Sequence, residues 1–292
     1  MKKTPALYLA IFLSILIIQN RVLHAQPDPG DHSKPEIVTY SSHGLDLTAY
    51  LYKPDGQGPF PAYLWNHGSE KNASDGRKLA KFWTAQGFVF FAPIRSGHGS
   101  NPGAYIGDEQ VALRGKGLNR AQAFPETMKL HEKANDDVVA ALSWLKKQSF
   151  VDAKRIVVAG GSFGGIQTLL TAARDGKENL GVKCFVAMSP AAMSWGKGKL
   201  WGPWLSQLIQ SAQAPIFLLQ AANDYNLGPS EVLGPLVDAK GAPNRHKLFP
   251  THIVSGMAAE DHRAGHGKFF GDPSAWQEDL LKYLKDCGTI KP

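Results

Sequence analysis

Apolar and polar residues alternate along LDLTAYLY, residues 45–52, which puts Leu45, Leu47, Ala49 and Leu51 on one side. That period of two predicts a half-buried antiparallel strand. Four later runs are apolar on both sides: FPAYLWN before His67-Gly68, FVFFAP at 88–93, CFVAM at 184–188 and IFLLQ at 216–220. Continuous runs of this length predict strands covered on both faces, as in a parallel sheet. Between them the period changes to that of a helix. Leu79, Phe82 and Trp83 mark a helix that Ser74 can cap and Gly87 can stop, and Val138, Leu142 and Leu145 mark one over 133–148. A short strand near Lys247–Phe249 and a final helix complete the pattern. Asp272 and Pro273 open that helix, Trp276, Leu280 and Leu284 face inward, and Gly288 ends it. Strands alternating with helices after an antiparallel start predict an α/β fold with a mostly parallel sheet.

The amino-terminal residues fall outside this pattern. MKK followed by an apolar run from Ala6 to Ile18 and Leu23-His24-Ala25 predicts a cleaved export signal over residues 1–25, because the run is short for a membrane span. Residues 26–35, rich in Pro, Asp and Gly, read as a flexible leader, and 36–292 as one catalytic domain. The expected location is periplasmic or extracellular, with no membrane attachment beyond the signal. Removing Lys2, Lys3 and Arg21 with the signal lowers the formal net charge of +7 by three, to +4. The remaining lysines are scattered among acids, without a basic stripe interleaved with aromatics, so a nucleic-acid partner is not expected. Cys184 and Cys287 read as free thiols rather than a disulfide framework. Asn72-Ala73-Ser74 is a glycosylation sequon, meaningful only in a host that glycosylates exported proteins.

Chemistry concentrates in RIVVAGGSFGGIQTLL, residues 155–170. Ile156–Ala159 reads as a buried strand and Ile166, Leu169 and Leu170 as a helix; Gly160-Gly161-Ser162-Phe163-Gly164 between them fits G-x-S-x-G. With 30 glycines in the chain, the motif needs partners to support it. A serine hydroxyl becomes a useful nucleophile only beside a base that a third group orients. The strand IFLLQ is followed by AANDYN, so Asp224 lies just past a strand end. EDHRAGHGKFF after the last strand offers His262 and His266. The order Ser, Asp, His is the one such elbows require. Asp224 alone would pass for a turn former. His262 and His266 at i and i+4 could hold a metal, but no carboxylate lies between them, so no metal is expected.

From about Tyr50 to Leu284 the chain resembles the α/β-hydrolase superfamily, in particular its dienelactone hydrolase-like and prolyl oligopeptidase-like esterases. The resemblance rests on NHGS, APIRSGHGSNPG, VVAGGSFGG, AAND and GHGKFF. It selects His266 over His262, because HGKFF looks like the histidine loop of that branch. It also implies two oxyanion donors, the backbone N–H groups of Phe163 and Ser69. Dienelactone hydrolases carry cysteine where this chain has Ser162, which favours a general serine esterase. The resemblance thus implies a cofactor-free Ser162–Asp224–His266 hydrolase that cleaves small or short-acyl esters through an acyl-enzyme. Glu70, beside the Ser69 loop, reads as a surface acid that could tune the site. A prolyl oligopeptidase-like peptidase is the alternative, although residues 26–60 are too few for the large extra domain such peptidases carry. A non-catalytic binding protein on the same scaffold is the other, disfavoured because no triad member is missing.

Two stretches are expected to shape the site. Ser96–Thr127 is glycine-rich and long for a connection, and reads as part of its wall. Residues 189–208, SPAAMSWGKGKLWGPWLSQL, read as a small cap in which Trp195, Trp201 and Trp204 line a substrate pocket. Lys197 and Lys199 would add tolerance for an anionic acid portion, though solvated surface lysines are the plainer reading.

Overall fold

The computed structural model describes residues 34–74, 76–196 and 199–291. The expected export signal, nearly all of the expected leader, and Lys197 therefore lie outside the described residues. In chain order the elements are β1 (Glu36–Ser42), β2 (Leu45–Tyr52), β3 (Phe60–Asn66), α1 (Arg77–Ala85), β4 (Val89–Pro93), α2 (Ile106–Gly115), α3 (Arg120–Lys146) and β5 (Val151–Gly161). There follow α4 (Phe163–Glu178), β6 (Cys184–Met188), α5 (Trp201–Ser211), β7 (Ile216–Ala221), α6 (Gly234–Asp238), β8 (Arg245–Phe249) and α7 (Gln277–Asp286). The strands form one sheet in the order β1-β2-β4-β3-β5-β6-β7-β8. The pairs β1/β2 and β2/β4 are antiparallel, and every pair from β4 to β8 is parallel.

Two apolar layers sandwich this sheet, as the doubly apolar runs require. Leu64, Val158 and Leu218 face α3 to α6 through Leu142, Ile166, Leu169, Leu205 and Val237. Tyr63, Val157 and Leu219 face α1 and α7 through Trp83, Leu280 and Leu284. Cys184 and Cys287 are unoxidised, with their thiols in contact beneath α7. No helix among the described residues is long and apolar enough to cross a membrane.

Four details depart from the pattern read in the sequence. Strand β1 is an edge strand that the pattern misses, since only Tyr40 and Ser42 are buried and Ile37 is 65% exposed. Helix α1 begins at Gly76 without a side-chain cap, so Ser74 lies ahead of it and does not cap it. The helix predicted over 133–148 begins earlier, inside the stretch 96–127 expected to form part of the site's wall: that stretch holds α2 and the first turns of α3, which starts at an Asn119–Gln122 capping box and carries Pro125 in its second turn. At the carboxyl end, Asp272 caps only a short 3-10 turn, Pro273–Ala275, and α7 follows from Trp276.

Candidate active site

Strand β5 ends and α4 begins on either side of one residue, Ser162. Its φ of 57° and ψ of −116° are unusual for a residue with a Cβ, and its hydroxyl makes no capping bond to the helix it precedes. The turn is anchored by the Ser162 N–H, which donates to the Met188 carbonyl at the end of β6 (2.9 Å). It can be this tight because of Gly164, where an added Cβ would run into the Asn66 carbonyl of β3. Backbone strain thus presents the serine oxygen beyond the strand ends, where functional groups collect in such sheets.

Asp224 lies three residues past β7 and is almost fully buried. Its Oδ1 accepts from His266 Nδ1 (2.8 Å) and from the Tyr225 N–H (2.6 Å), and its Oδ2 accepts from Gln220 Nε2 (3.0 Å). Gln220 is itself fixed, donating to the Asn226 carbonyl and accepting from Ser230. His266, flanked by Gly265 and Gly267, is held by packing and not in an open loop. It is 6% exposed, within a π-helical turn, Ala264–Lys268. Gly265 makes that packing possible, because a side chain there would strike the Asn223 backbone. Edge-on contacts from Tyr225 (5.3 Å) and Phe270 (4.7 Å) hold the imidazole. Among the described residues its Nε2 has no hydrogen-bond partner. Ser162 and His266 line the same cavity, of about 460 Å³. His262 is placed differently: its Nδ1 meets the Asn223 carbonyl (3.2 Å) and its ring lies against Tyr225. No group of three or more His, Cys, Asp or Glu suited to a metal occurs among the described residues.

Ser69 and Phe163 frame the serine. Among the described residues neither backbone N–H donates a hydrogen bond, leaving both available to a ligand oxygen. Tyr105 Oη donates to the Ser69 carbonyl (2.5 Å), fixing that peptide. Beneath it lies Arg95, which is 1% exposed. Its guanidinium donates to the carbonyls of His67 (3.0 Å) and Gly68 (2.6 Å) and stacks over the Phe163 ring (4.6 Å). The Arg95 backbone N–H donates to His67 Nε2 (3.3 Å), and His67 Nδ1 lies 3.0 Å from both the Gly68 carbonyl and Arg95 Nη2. Burial pulls Arg95 down to about 10, so it stays charged at neutral pH. Burial, with Arg95 adding to it, holds His67 well below the usual range and His98 at about 4. Glu70 lines the cavity shared by Ser162 and His266.

A second cavity of about 540 Å³ opens on the other side of Ser162. Of the three cap tryptophans, Trp201 lines it. Trp204 instead packs into the core, and Trp195 packs under Gly228; both side chains are directed into apolar space by the helix and turn that carry them. Lys199 is exposed and lines neither cavity. Met193, Ser69 and Ser162 touch both cavities, so the boundary between the two runs over the serine. His131 forms part of the floor, stacked on Phe163 (4.4 Å) and held by burial at about 3. Sequence reasoning missed Arg95, Tyr105, His131, Met193 and Gln220. Of these only Gln220 carried a signal, a buried polar residue at the end of an apolar strand.

Residues 110–193 match the profile of the prolyl oligopeptidase family, a segment that contains Ser162 and stops short of Asp224 and His266. A Bacillus subtilis protein named "uncharacterized peptidase YtmA" is 29% identical over 152 residues, 51% of this chain and 50% of that protein, so the match spans half of the relative's length. Among solved structures, an esterase of Pyrococcus furiosus superposes with a TM-score of 0.59 at 19% identity, covering 88% of this chain and 93% of its own. A Klebsiella pneumoniae protein assigned as a dienelactone hydrolase superposes with a TM-score of 0.57 at 17% identity, covering 86% of this chain and 97% of its own. The chain has the α/β-hydrolase fold, and over residues 110–193 its sequence is similar to the prolyl oligopeptidase family.

Proposed function

We propose that the protein is a serine hydrolase of small carboxylic esters, exported from the cell and working without a cofactor. The reading is carried by one observation: Ser162, on its strained elbow, shares a cavity with an imidazole whose Nδ1 is already bonded to buried Asp224. In this mechanism His266 Nε2 accepts the Ser162 proton as Oγ attacks the ester carbonyl. Asp224 holds the ring and stabilises its charged form, and Gln220 and the Tyr225 N–H keep the carboxylate aimed. The N–H groups of Phe163 and Ser69 receive the oxyanion; each such donor is worth about 3 kcal/mol in the transition state. His266 then returns the proton to the departing alcohol, and water repeats the sequence to release the acid.

A second reading is amide cleavage. It is favoured by the prolyl oligopeptidase profile over 110–193 and by the peptidase name of the Bacillus relative. A panel of p-nitrophenyl esters and peptide p-nitroanilides, run with the Ser162→Ala variant as control, tests both. Ester turnover that disappears in the variant is the expected result. Turnover of anilides above esters would favour the peptidase, and activity that survives Ser162→Ala would overturn the assignment of the nucleophile.

A further inference from the structure

The two cavities that meet at Ser162 are chemically unequal, and the proton transfers of the proposed mechanism say which end of the substrate enters each. As the Oγ–C bond forms, the hydroxyl proton moves to His266 Nε2; as the C–O bond to the alcohol breaks, that proton moves to the departing oxygen. The leaving group must therefore lie within reach of His266. His266 lines the 460 Å³ cavity and not the 540 Å³ one, so the first receives the alcohol and the second receives the acyl group.

The acyl cavity has apolar walls near the serine, formed by Phe163, Phe124 and Trp201, the last two meeting edge to face at 5.2 Å. Its exposed lining residues include Arg114, near the end of α2, and Arg120, at the start of α3. Among the described residues no acid lines this cavity. The acids closest in sequence are already committed elsewhere: Asp108 to Lys71, Glu109 to Lys133 and Glu126 to Lys129. Among the described residues neither arginine has an ion-pair partner. Two guanidinium forks without a counter-charge, beyond an apolar throat, suit a carboxylate on an apolar stem.

We propose that the acyl cavity selects acids that carry a second, anionic carboxylate at the end remote from the ester, with Arg114 and Arg120 as specificity residues. This rests on the serine-hydrolase reading above. The substrate class is then monoesters of compact dicarboxylic acids, cleaved to the free dicarboxylate and an alcohol.

The test compares the mono-p-nitrophenyl ester of terephthalic acid with p-nitrophenyl p-toluate. They differ only in a para carboxylate for a methyl group, and the rigid ring stops that carboxylate from attacking its own ester. In the wild-type protein kcat/KM should be at least about tenfold higher for the anionic ester, the effect of one charge-assisted contact. The ratio should shrink as salt is raised and fall to near unity in Arg114→Gln/Arg120→Gln. Equal rates in the wild type, or a preference that persists in the double variant, would overturn the proposal while leaving the hydrolase reading intact. If neither ester turns over, the hydrolase reading fails; the cavity is then tested by titrating terephthalate against Trp201 fluorescence. Binding that weakens in the double variant upholds the anion site, and binding that is absent or unchanged overturns it.

Discussion

The Arg95 guanidinium lies 4.6 Å from the Phe163 ring while donating to the carbonyls of His67 and Gly68. One buried cation thus ties together the two backbone segments that carry the proposed oxyanion donors, the N–H groups of Ser69 and Phe163. In the proposed mechanism Arg95 acts by positioning those donors. Arg95→Lys keeps the charge but loses the planar fork. It should lower kcat by about 10- to 100-fold, the range for loosening one oxyanion donor, with little change in KM. A variant that loses thermal stability but keeps kcat would make Arg95 structural only.

His266 and His262 are separated by their surroundings. His266 Nδ1 is bonded to Asp224 and its ring lines the cavity with Ser162, whereas His262 bonds the Asn223 carbonyl. His266→Ala should reduce kcat about as far as Ser162→Ala, by about 10⁴-fold or more, and the double variant should add little because the two act as a unit. His262→Ala should cost less than about tenfold, consistent with the loss of one neutral hydrogen bond. Steady-state kinetics on one ester for all four proteins checks this, and an indispensable His262 would contradict it.

Gln220 donates to the Asp224 oxygen that His266 does not use. Replacing it with Leu leaves that buried oxygen one bond short, which costs about 1.5–3 kcal/mol for a charged acceptor. Gln220→Leu should therefore lower Tm and also lower kcat by about tenfold, because the carboxylate that aims His266 is held less firmly. A fall in Tm with an unchanged kcat would mean that Gln220 supports the fold and not the acid.

Acid sensitivity follows from the buried histidines. His67 and His131 are held neutral, His131 at about 3, both chiefly by burial. In the unfolded chain each takes up a proton near pH 6.5. Below that pH the unfolded state binds more protons than the folded one, so stability falls with falling pH, by up to about 1.4 kcal/mol per pH unit for each histidine. Above about 6.5 their contribution is constant. Denaturant unfolding between about pH 7 and 5 should show this slope, and His131→Gln should reduce it by about one proton. A flat profile across that window would contradict the assignment.

What the sequence revealed follows from how locally each feature is written. Buried strands such as IFLLQ and CFVAM are contiguous apolar runs, and the elbow is a contiguous motif, so both were legible. Asp224 could be placed because the apolar run IFLLQ visibly ends four residues before it. The first turns of α3 were not legible, because their residues line a cavity and so lack a clean apolar stripe. Arg95 was illegible for another reason: it acts on carbonyls 27 and 28 positions away, and nothing near it in the chain records that partnership. The tryptophans show the limit of composition, since Trp201 and Trp204 are three residues apart on one helix yet only the first reaches a cavity.

The central claim is that Ser162 forms a covalent acyl-enzyme, and rapid mixing with p-nitrophenyl acetate tests it most directly. The account predicts a burst of about one p-nitrophenolate per protein molecule, an acetyl group on the peptide containing Ser162 in acid-quenched samples, and neither in Ser162→Ala. A linear time course without adduct, or an adduct that forms on another residue and persists in Ser162→Ala, would contradict it.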